Sequence, residues 1–248
     1  MIEVAEQDGV ALLRLADRKA NAMSLEFCEA LTAGFAGLPP GRAVVLTASG
    51  RIFSAGVDLL RLIEGGAPYI RKFLPALSTM LSTVFSHPAP VVAAINGHAI
   101  AGGCVLACAA DRRLMARNGG RIGVTELLVG VPFPPVPMEI MRCATAPQFF
   151  AEALFSGATY PPPAAVERGW VHELVEERAL LDRAIAAAHA LAALPPQAFA
   201  LSKRQTRQPV LDRMQDPVLD AAIEQIWTAP ETLDRIRDYV ARTLRKSS

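Results

Sequence analysis

The 248-residue chain sets 25 Lys and Arg against 24 Asp and Glu, a net charge of +1, which argues against an electrostatic nucleic-acid binder with a dominant basic face. Its length suits one large domain, or one domain with a helical appendage, and allows a substantial core. Cys28, Cys104, Cys108 and Cys143 form no CxxC pair and have no His at metal-ligand spacing, so they read as reduced, small apolar residues rather than a zinc site or disulfide framework.

The opening MIEVAEQDGVALLRL places acids early and has no basic-then-apolar signal pattern, while the final RKSS is no peroxisomal address, so the expected location is the cytoplasm. Residues 2–4 and 10–15 read as strands joined at Asp8-Gly9, a hairpin signal. A polar loop over 17–23 leads to Ser24, the N-cap candidate of an amphipathic helix with Glu26 in its first turn and an end near Gly37. After Leu38-Pro39-Pro40-Gly41, residues 43–47 read as a buried strand and 49–56 as a loop leading into 57–60. Ile70, Phe73, Leu74, Leu77, Leu81 and Val84 recur at helical spacing, which predicts a helix over 69–85 closed by Pro88 and Pro90. Glu64-Gly65-Gly66-Ala67-Pro68, just before it, reads as a flexible loop placed to cover a substrate.

Residues 89–111, APVVAAINGHAIAGGCVLACAAD, combine a strand over 91–95, an Asn96-Gly97 turn and a helix from Gly102-Gly103 to Ala110. The uncharged run could span a bilayer by length, but Asn96, His98 and the paired glycines interrupt it, so a buried core segment is expected. Backbone N–H groups at a helix start have no intrahelical partner and can hold an oxygen that develops negative charge. The competing reading is a buried strand-turn-helix whose glycines serve packing alone.

Strand, loop and helix recur over 10–37, 43–85 and 91–110, which implies an α/β layered domain. Further on, 112–116 reads as a strand, 121–124 as an extended piece and 126–130 as a turn. Pro132, Pro134, Pro135 and Pro137 are expected to prevent regular helix until about Met138. From Ala146 helical composition dominates, with helices over 179–194, 216–227 and 231–244 and another introduced by Pro195-Pro196.

Several separated motifs occur in order: Ala20-Asn21-Ala22-Met23-Ser24-Leu25, Phe53-Ser54-Ala55-Gly56-Val57-Asp58-Leu59, Asn96-Gly97-His98-Ala99-Ile100-Ala101-Gly102-Gly103-Cys104 and Ile122-Gly123-Val124-Thr125-Glu126-Leu127. Ser156-Gly157, Gly169-Trp170-Val171 and Leu194-Pro195-Pro196 follow. The ordered set resembles the crotonase, or enoyl-CoA hydratase/isomerase, superfamily, and its pattern is nearest to the enoyl-CoA isomerases. The resemblance implies an α/β spiral of repeated ββα units, with an acyl-CoA-binding core over 1–195 and a helical oligomerisation region over 196–248. It further implies a homotrimer or hexamer acting on an acyl-CoA thioester. No metal, nucleic-acid or membrane partner is expected, and no cofactor beyond the coenzyme A of the substrate.

By the same resemblance the Val57 and Gly102 N–H groups hold the thioester oxygen. Coenzyme A lies along Lys19, Ala20, Asn21 and Ala22, with Arg18, Lys19 and Lys246 of a neighbouring subunit near its phosphates. Ala55, Gly56, Asp58, Gly103, Val105 and Phe133 complete the substrate-binding set. Asp58 also reads as the cap of the helix it begins, His98 as structural, and Glu64 and Glu139 as carboxylates that matter only if the fold brings them to the pocket.

The carboxylates decide between reactions. Hydratases of this superfamily use two glutamates, and the positions that match are Val105 and Glu126. Water addition divides its proton transfers between two carboxylates, and a valine can neither hold nor activate water. One carboxylate suffices to move a proton from C2 to C4 of a 3-enoyl-CoA, the isomerase arrangement, and an apolar wall including Val105 would raise the pKa of Glu126. A hydratase or other enolate-forming acyl-CoA lyase, and a non-catalytic acyl-CoA-binding protein, are the alternatives. The segment Gly130-Val131-Pro132-Phe133-Pro134-Pro135 departs from the glycine-rich continuation of hydratases, which implies a reshaped acyl-pocket wall.

Overall fold

A computed structural model describes residues 2–17 and 20–245, with side chains as far as residue 243. Strands β1 (Ile2–Gln7) and β2 (Val10–Leu15) form a hairpin whose turn residues Asp8 and Gly9 both have positive φ, as a two-residue turn between twisted strands requires. Helix α1 (Leu25–Ala36) starts where Ser24 Oγ accepts the Phe27 N–H at 3.2 Å. Then follow β3 (Val44–Ala48), β4 (Ile52–Ser54) and α2 (Leu59–Ser86), the last capped by Asp58, whose Oδ1 accepts the Arg61 N–H at 3.1 Å.

Next come β5 (Val91–Ile95), β6 (His98–Ile100), α3 (Gly102–Cys108), β7 (Arg112–Ala116), β8 (Ile122–Gly123) and α4 (Glu126–Val129). The chain continues through α5 (Pro135–Ala144), α6 (Pro147–Ser156), β9 (Thr159–Tyr160), α7 (Pro162–Glu167), β10 (Glu173–Val175) and α8 (Leu180–Ala192). It closes with α9 (Pro196–Arg213), α10 (Pro217–Thr228) and α11 (Pro230–Arg245).

Two sheets organise these elements, one of order β1-β2-β3-β5-β7-β10 and a smaller one of order β4-β6-β8-β9. β3, β5 and β7 run parallel in the large sheet, while β4, β6 and β8 run parallel in the small one. The units β3-β4-α2, β5-β6-α3 and β7-β8-α4 each lay one strand in each sheet and then a helix, giving the expected spiral of ββα units. The large sheet is covered on both faces: Leu13, Leu46, Ala93 and Ile95 join the main core, while Leu12, Val45, Val92 and Ala94 pack on Ala184, Ile185 and Ala188 of α8. Burial of both faces explains why the central strands β3 and β5 are nearly continuous apolar runs instead of alternating.

Three expectations are corrected, and one strand falls where none was assigned. Residues 52–54, expected as loop, form β4, while 98–100, between the Asn96-Gly97 turn and the helix start, form β6. Both strands are three residues long, too short for a period to emerge from the sequence. Residues 64–68 are not a loop, because α2 begins at Leu59 and runs through them with a kink at Gly66 (φ 56°, ψ −156°). Helix α5 starts at Pro135 rather than near Met138, since a proline in the first turn lacks only an N–H that would have no helical partner. Cys28, Cys104 and Cys108 are buried, but Cys143 is exposed.

Residues 89–111 are largely buried, as expected, and among the described residues no single helix is long and apolar enough to cross a membrane. Asp111, at the end of this stretch, ties α9 to the large sheet. Its Oδ2 accepts from Lys203 Nζ at 2.7 Å and the Val91 N–H at 2.8 Å, and its Oδ1 pairs with Arg207 at 2.7 Å. The three side chains are 6–13% exposed. Asp111→Asn would leave two enclosed cations facing a neutral amide and is expected to lower unfolding stability by about 3 kcal/mol in urea titration followed by tryptophan fluorescence. A loss below about 1 kcal/mol would show that water, and not Asp111, supports these cations.

Candidate active site

The register of the small sheet builds the site. Ser54 pairs with Ala99, and Ile100 pairs with Gly123, so the C-terminal ends of β4, β6 and β8 lie side by side. Val57, Gly102 and Glu126 follow those three ends within two or three residues. Crevices at the carboxyl ends of parallel strands are the usual binding positions of α/β sheets, because each strand there releases its chain into a loop or helix.

The first two segments meet backbone to backbone. Gly56 has φ 84°, and a Cβ there would lie 2.7 Å from the Ile100 carbonyl oxygen and 3.2 Å from the Gly102 nitrogen. A Cβ on Gly103 would fall 2.4 Å from the Ser54 carbonyl oxygen, so any side chain at either position would force the loops apart. Ala101 is held at φ 50°, ψ −125°, a conformation seldom adopted by a residue with a Cβ. It is fixed by donation of its N–H to the Gly123 carbonyl at 2.7 Å and by the return of the Cys104 and Val105 N–H groups to its own carbonyl at 2.9 and 3.2 Å. Gly102 then occupies the first helical position, where its N–H has no intrahelical acceptor.

Val57 is aligned from the other side. It forms an isolated bridge with Met23, in which the Met23 N–H donates to the Gly56 carbonyl at 2.7 Å and the Asp58 N–H donates to the Met23 carbonyl at 3.0 Å. That pattern engages residues 56 and 58 and leaves the Val57 N–H without a backbone acceptor among the described residues. The Val57 and Gly102 N–H groups are thus both without a backbone acceptor among the described residues, on two segments that touch at Gly56 and Gly102.

Loop 20–23 is built against the same strand ends. Ala20 (φ 57°) and Asn21 (φ 53°) lie in the left-handed region. The Asn21 side chain is buried and secures this shape, accepting from the Asp17 N–H at 2.8 Å and donating to the Ile52 carbonyl at 2.9 Å. Ser54 Oγ donates to the Asn21 carbonyl at 2.8 Å and accepts the Gly56 N–H at 3.1 Å, while the Ala55 N–H donates to the Ala20 carbonyl at 3.1 Å. Ser54 is the linking residue that sequence reasoning did not single out, although it stands inside the Phe53–Gly56 motif. Ala22 is half-buried and Ala55 exposed beside it, whereas Lys19, Arg18 and Lys246 lie outside the described residues.

Glu126 opens α4. Its carbonyl accepts the Gly130 and Val131 N–H groups at 3.0 and 3.1 Å, closing the turn beneath it. The residue is half-buried, but its carboxylate Oε2 is enclosed and has no hydrogen-bond partner among the described residues. Burial pushes the carboxyl up to about 7, against the opposing effect of the Glu126 and Thr125 backbone N–H groups. It lies near enough to Cys104 to help hold that thiol well above its ordinary range, after burial and Cys108. A buried, unpaired carboxylate loses hydration without a compensating charge, so its proton is held more tightly.

The remaining candidates separate clearly. α3 is wholly buried and carries no carboxylate, with Val105 fully enclosed in the core. Phe133 is 5% exposed and belongs to the same apolar cluster as Val105 and Val131. Asp58 caps α2, and His98 Nδ1 accepts the Arg121 N–H at 3.1 Å, a structural role as expected. Glu139 is paired with Arg142 at 2.9 Å and Arg213 at 2.6 Å, and Glu64 is exposed beside Arg61. Neither shares the environment of Glu126.

Comparison with known proteins places the fold in a family. Residues 5–231 match the family model for enoyl-CoA hydratase/isomerase. The human mitochondrial enoyl-CoA delta isomerase 1 is 27% identical over 219 residues, covering 86% of this chain and 72% of its own. A putative enoyl-CoA hydratase of Thermus thermophilus is 33% identical over 210 residues, covering 82% of each. The crystal structure of the human mitochondrial delta3-delta2-enoyl-CoA isomerase shares the fold at a TM-score of 0.93 and 24% identity, over 100% of this chain and 99% of that one. With the spiral, the paired strand ends and the matched length together, the chain belongs to the enoyl-CoA hydratase/isomerase family.

Proposed function

We propose that this protein moves the double bond of a 3-enoyl-CoA to C2, with Glu126 as the single acid and base. The observation that carries the reading is the isolation of Glu126: its enclosed oxygen has no partner among the described residues, and the facing helix α3 offers no second carboxylate. The Glu126 carboxylate takes a proton from C2, and that C–H electron pair moves through C1 to the thioester oxygen, leaving a dienolate. The Val57 and Gly102 N–H groups hold this oxygen. Each such donor is worth roughly 2.7–4 kcal/mol to a transition state of this kind. As the oxygen's charge returns, C1 regains its carbonyl, the former C3–C4 double bond becomes C2–C3, and Glu126 delivers its proton to C4.

Two features support isomerisation over water addition. Hydration divides its proton transfers between positioned groups, and Val105 stands where the second group would be. The enclosure that raises Glu126 to about 7 also gives the carboxylate nearly balanced acid and base forms at neutral pH, as a group that both takes and returns a proton requires. In this reading coenzyme A enters as part of the substrate and runs along residues 19–22. Exposed apolar side chains such as Phe155 and Val218 support assembly into a homotrimer or hexamer.

Glu126→Gln keeps the side chain's shape and removes its proton transfer, and is expected to reduce the turnover of 3-enoyl-CoA by about a thousandfold while the thioester still binds. Residual activity within about tenfold of the parent would remove Glu126 from the mechanism. The pH dependence has a fixed sign. Only the deprotonated carboxylate starts the reaction, so kcat/KM is expected to rise with pH and level off above about 7. A rising limb near the ordinary carboxylate value of 4.5 would contradict the enclosure of Glu126.

A further inference from the structure

The turn that carries Glu126 is too small to hold its own shape. Helix α4 has four residues, a single turn, and short helices gain their stability from what they pack against. Upstream it is anchored by the pairing of β8 with β6. Downstream, the Gly130 and Val131 N–H groups return to the Glu126 carbonyl, and the chain enters Pro132, which has no N–H to bond with. What fixes that end comes from far along the sequence: the Trp227 indole N–H donates to the Pro132 carbonyl at 2.9 Å.

Trp227 is 2% exposed on α10, a helix that packs on α2, so its ring has little freedom to turn away. Helix α11 adds a second contact, because Arg235 Cδ lies 3.2 Å from where a Gly130 Cβ would be, and α11 packs on both α4 and α2. The C-terminal helices of this chain therefore grip the exit of the turn that presents its own Glu126.

We propose that Trp227 is a positioning residue for Glu126, acting through the Pro132 carbonyl and the hydrogen-bonded turn between them. The proposal rests on the reading of Glu126 as the acid and base, but it concerns where the carboxylate is held. With the tether intact, Glu126 stays enclosed beside α3. Without it, the 126–132 segment loosens, water reaches the carboxylate, and the distance from base to C2 and C4 is no longer fixed.

The test is Trp227→Phe, which keeps an aromatic ring and removes the donor, compared with Ile223→Val, which trims a buried neighbour on the same helix and leaves the tether in place. Two readouts are taken: steady-state kinetics with 3-enoyl-CoA, and 13C NMR titration of the Glu126 carboxyl, assigned by its absence in Glu126→Gln. Trp227→Phe is expected to lower kcat about tenfold with KM held within about twofold, the split of a misplaced reacting group. Its Glu126 resonance is expected to titrate at lower pH than in the parent, toward the ordinary carboxylate range. Ile223→Val is expected to match the parent in both readouts at a similar loss of melting temperature. An unchanged Glu126 titration in Trp227→Phe would overturn the proposal, as would Ile223→Val reproducing the effects in proportion to its lost stability. If the parent turns over no 3-enoyl-CoA, the isomerase reading falls, and the NMR comparison still decides whether Trp227 holds Glu126.

Discussion

The register of the small sheet is the constraint on which the rest of the site depends. The pairs Ser54–Ala99 and Ile100–Gly123 bring three successive turns of the spiral into line, so that one residue from each turn is delivered to one place. In the proposed reaction Val57 and Gly102 supply donors, and Glu126 supplies the carboxylate. A slip of one residue in either pairing would turn the following segment to the other face of the sheet. The backbone contacts of Gly56 and Gly103 guard against it, because in this register the two loops are in van der Waals contact with no room for a Cβ. The left-handed conformation at Ala101 is a local cost offset by the hydrogen bonds that the same register makes possible.

This arrangement also explains the electrostatics. The large sheet and α3 form an apolar body, and Glu126, just past the end of β8 in the small sheet, lies near Cys104 of α3. Among the described residues no cation pairs with the carboxylate, in contrast to Glu139, which meets two arginines, and Asp111, which meets a lysine and an arginine. The same residue type thus serves two ends. Paired carboxylates fasten α9 to α5 and to the large sheet, while the unpaired one keeps a proton affinity suited to exchange near neutral pH.

Much of the scaffold was legible in the sequence, because long apolar or periodic runs report their own structure. The strands over 91–95 and 112–116, the Asp8-Gly9 hairpin and the Ser24 and Asp58 caps all lie where local rules put them. β4 and β6 did not announce themselves, since three residues cannot display a period of two, and their hydrogen bonds are made to other turns of the spiral, whereas β8 lies within the extended piece read over 121–124. For the same reason Val57, Gly102 and Glu126 were visible only through ordered motifs, whereas their convergence is a property of sheet register. The double glycine at 65–66 suggested a loop, yet only Gly66 leaves helical geometry, and it divides α2 into two helical segments. The Trp227–Pro132 bond joins residues 95 positions apart and has no local signature.

The central claim is that one enclosed carboxylate carries a proton between two carbons of the same substrate. Its most direct test is the reaction of 3-enoyl-CoA deuterated at C2 in ordinary water, with the product's label located by NMR and its mass measured. A single shuttling carboxylate shielded from solvent predicts a 2-enoyl-CoA of unchanged mass in part of the product, with deuterium at C4. A 3-hydroxyacyl-CoA heavier by one water, or a C4 position that never receives the label, would contradict the account.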